Sequence, residues 1–224
     1  MEKQFTIRQR TQFDEERARR MLMYVHPEKY EDAVLADAPD IVCEKHSVGV
    51  EVTSGLRQDI LQDLSRAGRI SGKMDDELTK IDRDNIEKGR VLSFRTDSGV
   101  NMAGTWATWG STFDHETILK KKCQKLNSSH FRVFGHNELF IFAWLIDQEE
   151  LEKALEYISV GKWIAEDARY VFDTIFIFDD KVLTEVVMDG MPIISHAIPG
   201  AIMRRISEES YKQVFGCDKD DVRR

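Results

Sequence analysis

The segment PDIVCEKHSVGVEVTSG, residues 39–55, sets two carboxylates in an apolar context. Asp40 opens one short run, Pro39–Lys45, and Glu51 sits midway along the next, Val48–Ser54. Both runs alternate, so they read as adjacent strands of a hairpin, with Val48, Val50 and Val52 on one face and Glu51 and Thr53 on the other. In such a hairpin the carboxylates of Asp40 and Glu51 can approach one hard divalent cation, which takes oxygen ligands and keeps several waters. The backbone carbonyl of Val52 is a natural further ligand. A cation held there acidifies a bound water and stabilises charge on a phosphodiester in the transition state. The plainer alternative is structural, because Pro-Asp commonly starts strands and turns and a glutamate on an antiparallel strand usually faces water. Against that stands the strongly apolar setting of Glu51, where a carboxylate needs a partner or a metal.

Two helices must position the remaining groups. The segment Asp114–Leu126 is expected to be helical, with Ile118, Lys122, Lys125 and Leu126 on one stripe and Lys120 and Lys121 turned elsewhere. A lysine on the sheet-facing side of a helix either snorkels to the edge or reaches into a site. Upstream, a helix over Gln12–Val25 carries the apolar stripe Ala18, Leu22 and Val25, and His26-Pro27 ends it. Glu15 shares that stripe, with Glu16 one residue further round. Both Asp14 and Glu15 are expected in the first turns, where the helix dipole favours acids.

Asp40, ten intervening residues and then Glu51-Val52-Thr53, preceded by a helix bearing a carboxylate, resembles the signature of the PD-(D/E)XK (restriction-endonuclease-like) nuclease superfamily. The resemblance covers about residues 10–146. It implies an α/β (α+β) fold with an αβββαβ core, a mixed central sheet flanked by helices. It also implies a metal set of Asp40, Glu51, the Val52 carbonyl and Glu15 around Mg²⁺, with Mn²⁺ as a substitute. The last letter of the signature departs, because Thr53 stands where the superfamily has lysine. Members whose strand reads EVT recurrently carry a Lys-x-x-Lys pair on the next core helix, followed by an apolar strand. By that resemblance Lys122 joins Asp40 and Glu51 as a catalytic residue, and Lys125 contacts phosphate. The implied activity is hydrolysis of phosphodiester bonds in DNA by Mg²⁺-activated water, with pairing as a homodimer to cut two strands. The rival is a catalytically inactive member that binds protein or nucleic acid on the same scaffold, favoured by Thr53 and by the overall charge.

The remaining elements fit one domain over 1–224 with a charged helical insertion at about 58–89 and an extension over 147–224. Val91–Phe94 and Val100–Trp109 flank the turn Asp97-Ser98-Gly99 as a further hairpin. Leu139–Ile146 is continuously apolar and reads as a strand buried on both faces. Asp147 and Glu150 make a capping box for the helix that follows, with Gly161 past its end. Val171–Phe178 is another strand, and a last helix begins near Ser207.

Composition bounds the rest. The chain has 224 residues with 42% hydrophobic and 32% charged, so it can bury a sizeable core. A net charge of −8 is unlike that of a dedicated DNA binder, although one local basic surface suffices for a nuclease. Cys43, Cys123 and Cys217 are odd in number and form no CxxC pair, which argues against a disulfide framework or structural zinc. No apolar run is long enough to span a membrane, and the N-terminal segment lacks the apolar centre of a secretory signal. A cytoplasmic location is therefore expected. His115, His130 and His136 match no standard zinc spacing. Trp106 and Trp109 could stack on nucleobases, but core packing is their commoner use. No phosphate-binding loop, dinucleotide fingerprint or serine elbow is present.

Overall fold

The computed structural model describes residues 7–104, 113–144, 146–190 and 192–216. The chain divides into two compact units, one built from Met1–Gly55 and His115–Arg224 and the other from Leu56–Asp114.

In the first unit, a sheet of seven strands is formed among the described residues. The elements before the insertion are α1 (Ile7–Val25), α2 (Pro27–Tyr30), β1 (Val34–Leu35), β2 (Ile41–Cys43) and β3 (Val48–Ser54). α1 begins earlier than the apolar stripe alone suggests. Asp14 and Glu15 therefore lie well past its first turn, and the helix dipole does not account for them. β2 and β3 form the expected antiparallel hairpin, with Ile41 opposite Val50 and Cys43 opposite Val48.

The second unit comprises α3 (Gln58–Ile70), a 3₁₀ turn (Asp75–Glu77), α4 (Lys80–Glu87) and the antiparallel pair β4 (Leu92–Arg95) and β5 (Asn101–Gly104). It extends beyond the helical pair expected at 58–89 and takes in this hairpin. Ala67, Ile70, Leu78 and Val91 form its small core. Thr79 caps α4, accepting from the Asp82 amide, and the buried Asp82 carboxylate accepts in return from the Thr79 amide and hydroxyl and from Lys73. Trp106 and Trp109 lie outside the described residues.

The chain returns to the first unit through α5 (His115–Leu126), β6 (His136–Phe142), α6 (Gln148–Ser159), β7 (Thr174–Phe178), β8 (Val182–Val187), β9 (Ile194–Ala197) and α7 (Gly200–Phe215). The spatial order is β1-β2-β3-β6-β7-β8-β9. β6 runs parallel to β3 and to β7, whereas β8 and β9 are antiparallel additions. β6 starts three residues before the apolar run expected from Leu139 and ends at Phe142, and both it and β7 are buried on both faces beyond His136. α6 starts at the Asp147–Glu150 capping box, and Gly161 takes a left-handed φ of 67° just past its end. α7 starts seven residues before Ser207, directly after Pro199, because Ile202, Met203 and Ile206 pack against the same core as α1.

One face of the sheet presents Val48, Val50, Val52, Phe140, Phe142, Phe176, Phe178 and Leu183 to Ala18, Met21 and Leu22 of α1 and Ile206 of α7. Register places Glu51, Thr53, Leu139, Ile141, Ile175 and Ile177 on the opposite face, with α5. Among the described residues no helix is long and apolar enough to cross a membrane, and Cys43 and Cys123 are free and buried.

Candidate metal centre

Glu51 lies in the middle of β3, which is hydrogen-bonded to β2 on one side and β6 on the other. Its residue exposure is 1%. α5 lies above it and lowers two ammonium groups onto a single oxygen. Lys122 Nζ is 2.6 Å and Lys125 Nζ is 2.5 Å from Glu51 Oε1. Spacing of three residues brings both lysines to one side of the helix, so the stripe seen in the sequence reaches the sheet. Lys122 also approaches the Val52 carbonyl, at 3.5 Å. The other carboxylate oxygen, Glu51 Oε2, is buried and has no hydrogen-bond partner among the described residues. A buried, unsatisfied carboxylate oxygen is costly and requires an explanation such as an ion.

Asp40 immediately precedes β2. The strand is too short to offer a backbone acceptor opposite Val52, and the Asp40 carboxylate takes that place, accepting from the Val52 amide at 2.7 Å. Continuing the hairpin register puts Asp40 on the same face as Glu51. Burial, then the nearby Glu51 charge, raises the Asp40 carboxyl above the ordinary range, with the Val52 hydrogen bond and the two lysines opposing. Gly49 makes this arrangement possible. A Cβ built there would stand 2.6 Å from the Phe134 ring and 2.8 Å from the Pro39 ring, so the residue beside Asp40 packs directly on β3 backbone.

Glu15 comes from α1 and faces the same charges. Burial first, then Asp40, Glu51, Asp14 and Asp37, pushes its carboxyl up to about 7. Glu16, the neighbouring choice, is instead held by Arg19 and Arg20, with separations of 2.7 Å to each. Although its own burial acts the other way, those arginines keep the Glu16 carboxyl below the ordinary range. Thr53 lies two residues beyond Glu51 on the same face, and its hydroxyl donates to the Ser54 carbonyl at 3.5 Å. The ammonium groups near Glu51 therefore come from α5.

Glu15, Asp40 and Glu51 are electrostatically coupled, but they are not the tightest set of donors. Among the described residues, the one trio of metal-capable side chains whose ligand atoms all lie within 4.8 Å of one another is His26, Glu185 and His196. It lies on the α1 face of the sheet and includes none of His115, His130 and His136, whose spacing matches no zinc pattern. His26 was legible only as a helix stop. A carboxylate inside the apolar strand VLTEVV was nevertheless the same signal that marked Glu51, and so was Glu138 in NELFIF. Glu138 is buried, 2.5 Å from Lys29 Nζ and from the Tyr30 hydroxyl.

Protein-family models, curated proteins and solved structures all give no match to this chain, so the reading of the site rests on its own geometry.

Proposed function

We propose that the chain is a Mg²⁺-dependent nuclease of the PD-(D/E)XK type, acting on phosphodiester bonds of DNA. The observation that carries this reading is the Glu51 carboxylate, with Oε1 held by two ammonium groups and Oε2 buried without a partner. The raised carboxyls of Glu15 and Asp40 support it, since clustered acids that repel one another gain most from a cation. The order of elements in the first unit is compatible with an αβββαβ core: α1 with the one-turn α2, then β1, β2 and β3, then α5 and β6.

Glu51, Asp40, Glu15 and the Val52 carbonyl would hold the ion. When bound, Mg²⁺ supplies stabilisation of charge on the phosphodiester and makes a water more acidic. The protein groups do the rest. Lys122, 21% exposed, orients the attacking water or the scissile phosphate in place of the lysine absent at position 53. Lys125, 42% exposed, offers its ammonium group to a phosphate. Glu51 fixes both ammonium groups over the sheet, so the positive charge stands ready without reorganisation. Pairing of two copies would serve cleavage of both strands.

One feature favours the inactive-scaffold reading: Glu51 already has two cationic partners, an arrangement that neutralises it without metal. The two readings separate in one experiment. Mg²⁺ and Mn²⁺ are titrated while thermal melting is followed, in wild type and in Glu51→Gln, alongside cleavage of plasmid and single-stranded DNA. The nuclease reading expects a metal-dependent rise in melting temperature and metal-dependent cleavage, both lost in Glu51→Gln. A stably folded wild type with neither response establishes the scaffold.

A further inference from the structure

On the opposite face of the same sheet, two histidines distant from each other in sequence converge on one carboxylate oxygen. His26 Nε2 is 2.8 Å and His196 Nε2 is 2.7 Å from Glu185 Oε2. His26 sits at the junction of α1 and α2, immediately before Pro27, where α1 ends over the sheet. Glu185 belongs to β8, and its inward face is shared with Leu183. His196 pairs with Leu183 on β9, so it is the diagonal neighbour of Glu185 and within reach of a long side chain. β9 is an edge strand with Ile194, Ser195 and Ala197 exposed, and His196 is the one residue of the strand turned partly inward. The two imidazole rings stand edge to face with centroids 5.0 Å apart.

We propose that His26, Glu185 and His196 form a second cation site, selective for a borderline transition-metal ion of the Zn²⁺ class. Imidazole suits such ions, whereas Mg²⁺ prefers oxygen throughout. Two imidazoles and one carboxylate make a three-ligand set that leaves a fourth position open. A tetrahedral ion with bonds of about 2.0–2.2 Å holds its ligand atoms roughly 3.3–3.6 Å apart. The two histidine–glutamate spacings of 2.8 and 2.7 Å therefore need to open by less than an ångström, and all three ligand atoms lie within 4.8 Å of one another. Binding requires each ring to present an Nε2 lone pair, so any proton held there leaves or moves to Nδ1 while Glu185 stays ionised.

The setting attracts a cation. Glu185 is buried, and a second buried acid, Glu138, lies near it, its carboxyl raised by burial and in small part by the Glu185 charge. Lys29 and Tyr30 engage Glu138. The imidazoles retain partial exposure, 29% for His26 and 20% for His196 side chains, which leaves an entry path. A purely structural hydrogen-bonded triad bracing β8 and β9 against α1 is the competing account.

The test uses the full chain stripped with a chelator. Zn²⁺ is titrated calorimetrically in saturating Mg²⁺, and Co²⁺ is titrated by visible absorption. The expected result is one Zn²⁺ per chain that Mg²⁺ does not displace, together with the absorption band of four-coordinate Co²⁺. Affinity falls at least tenfold in His196→Gln and in His26→Gln, and is unchanged in Glu51→Gln. Absence of saturable Zn²⁺ binding in wild type overturns the proposal, as does binding that survives both histidine substitutions. Should a histidine variant melt by circular dichroism, Glu185→Gln keeps the shape of the cluster and must show the same loss. This outcome is independent of the Mg²⁺ response, so either site can fail alone.

Discussion

Glu51 and Glu185 are two buried glutamates on opposite faces of one sheet, each contacted by two nitrogen-bearing side chains at a single oxygen. Their partners differ in kind. Glu51 receives two ammonium groups from lysines three residues apart on one helix. Glu185 receives imidazoles from a helix junction and a neighbouring strand, and imidazole is a ligand for transition metals. The first arrangement suits a hard cation with a phosphate beside it. The second suits a borderline ion, with the buried Glu138 and its partner Lys29 close by. The two proposals together would give one sheet two cation sites of different ligand preference, set by what lies above each face.

The comparison is broken most directly at Glu51. Several kcal/mol of transition-state stabilisation depends on a catalytic metal, so Glu51→Gln is expected to lower metal-dependent DNA cleavage by roughly a thousandfold. An unchanged rate in a plasmid assay would remove the carboxylate from the mechanism. Lys122→Met should cost about 10²–10³-fold in turnover, as loss of one preorganised donor does. The more exposed Lys125→Met should instead weaken DNA binding and reduce its salt dependence by about one counterion. Equal effects of the two lysines on turnover would erase the division of labour.

Gly49→Ala acts on the frame rather than the chemistry. Overpacking against Phe134 and Pro39 is expected to destabilise by about 1–3 kcal/mol, read as a lower melting temperature. The smallest effect is a pH dependence. Glu15 is held near 7 in the folded state and ionises near 4.5 when unfolded. The folded state therefore binds the extra proton between those values, and without metal its stability falls as pH rises through that window. Glu15→Gln should flatten that slope in denaturant titrations from pH 4.5 to 7, and saturating Mg²⁺ should flatten it in wild type. The Glu185 side responds oppositely, because the two histidines, against its own burial, lower that carboxyl and its contribution disappears on acidification.

Much of the first face was legible in the sequence. The alternation around Glu51 defined β2 and β3, and the three-residue spacing put Lys122 and Lys125 over them. Both signals are local, with periods of two and 3.6 residues. The second face was not legible, because His26 and Glu185 are 159 residues apart and meet only through strand order. β9 escaped notice since its side chains are mostly exposed, and β8 because a carboxylate interrupts its apolar run. The early start of α7 was masked by Pro199-Gly200, which reads as a turn although proline also opens helices.

β3 has neighbours on both sides, and Val52, where β2 stops, is bonded to the Asp40 side chain. Amide protons in such a strand exchange with solvent only through the rarest openings of a fold. The carboxylate of Glu51 is thus anchored to a strand paired on both sides. Accommodation of an incoming ligand must then come from the lysine tails of α5, whose tetramethylene arms can swing while the backbone beneath them stays still.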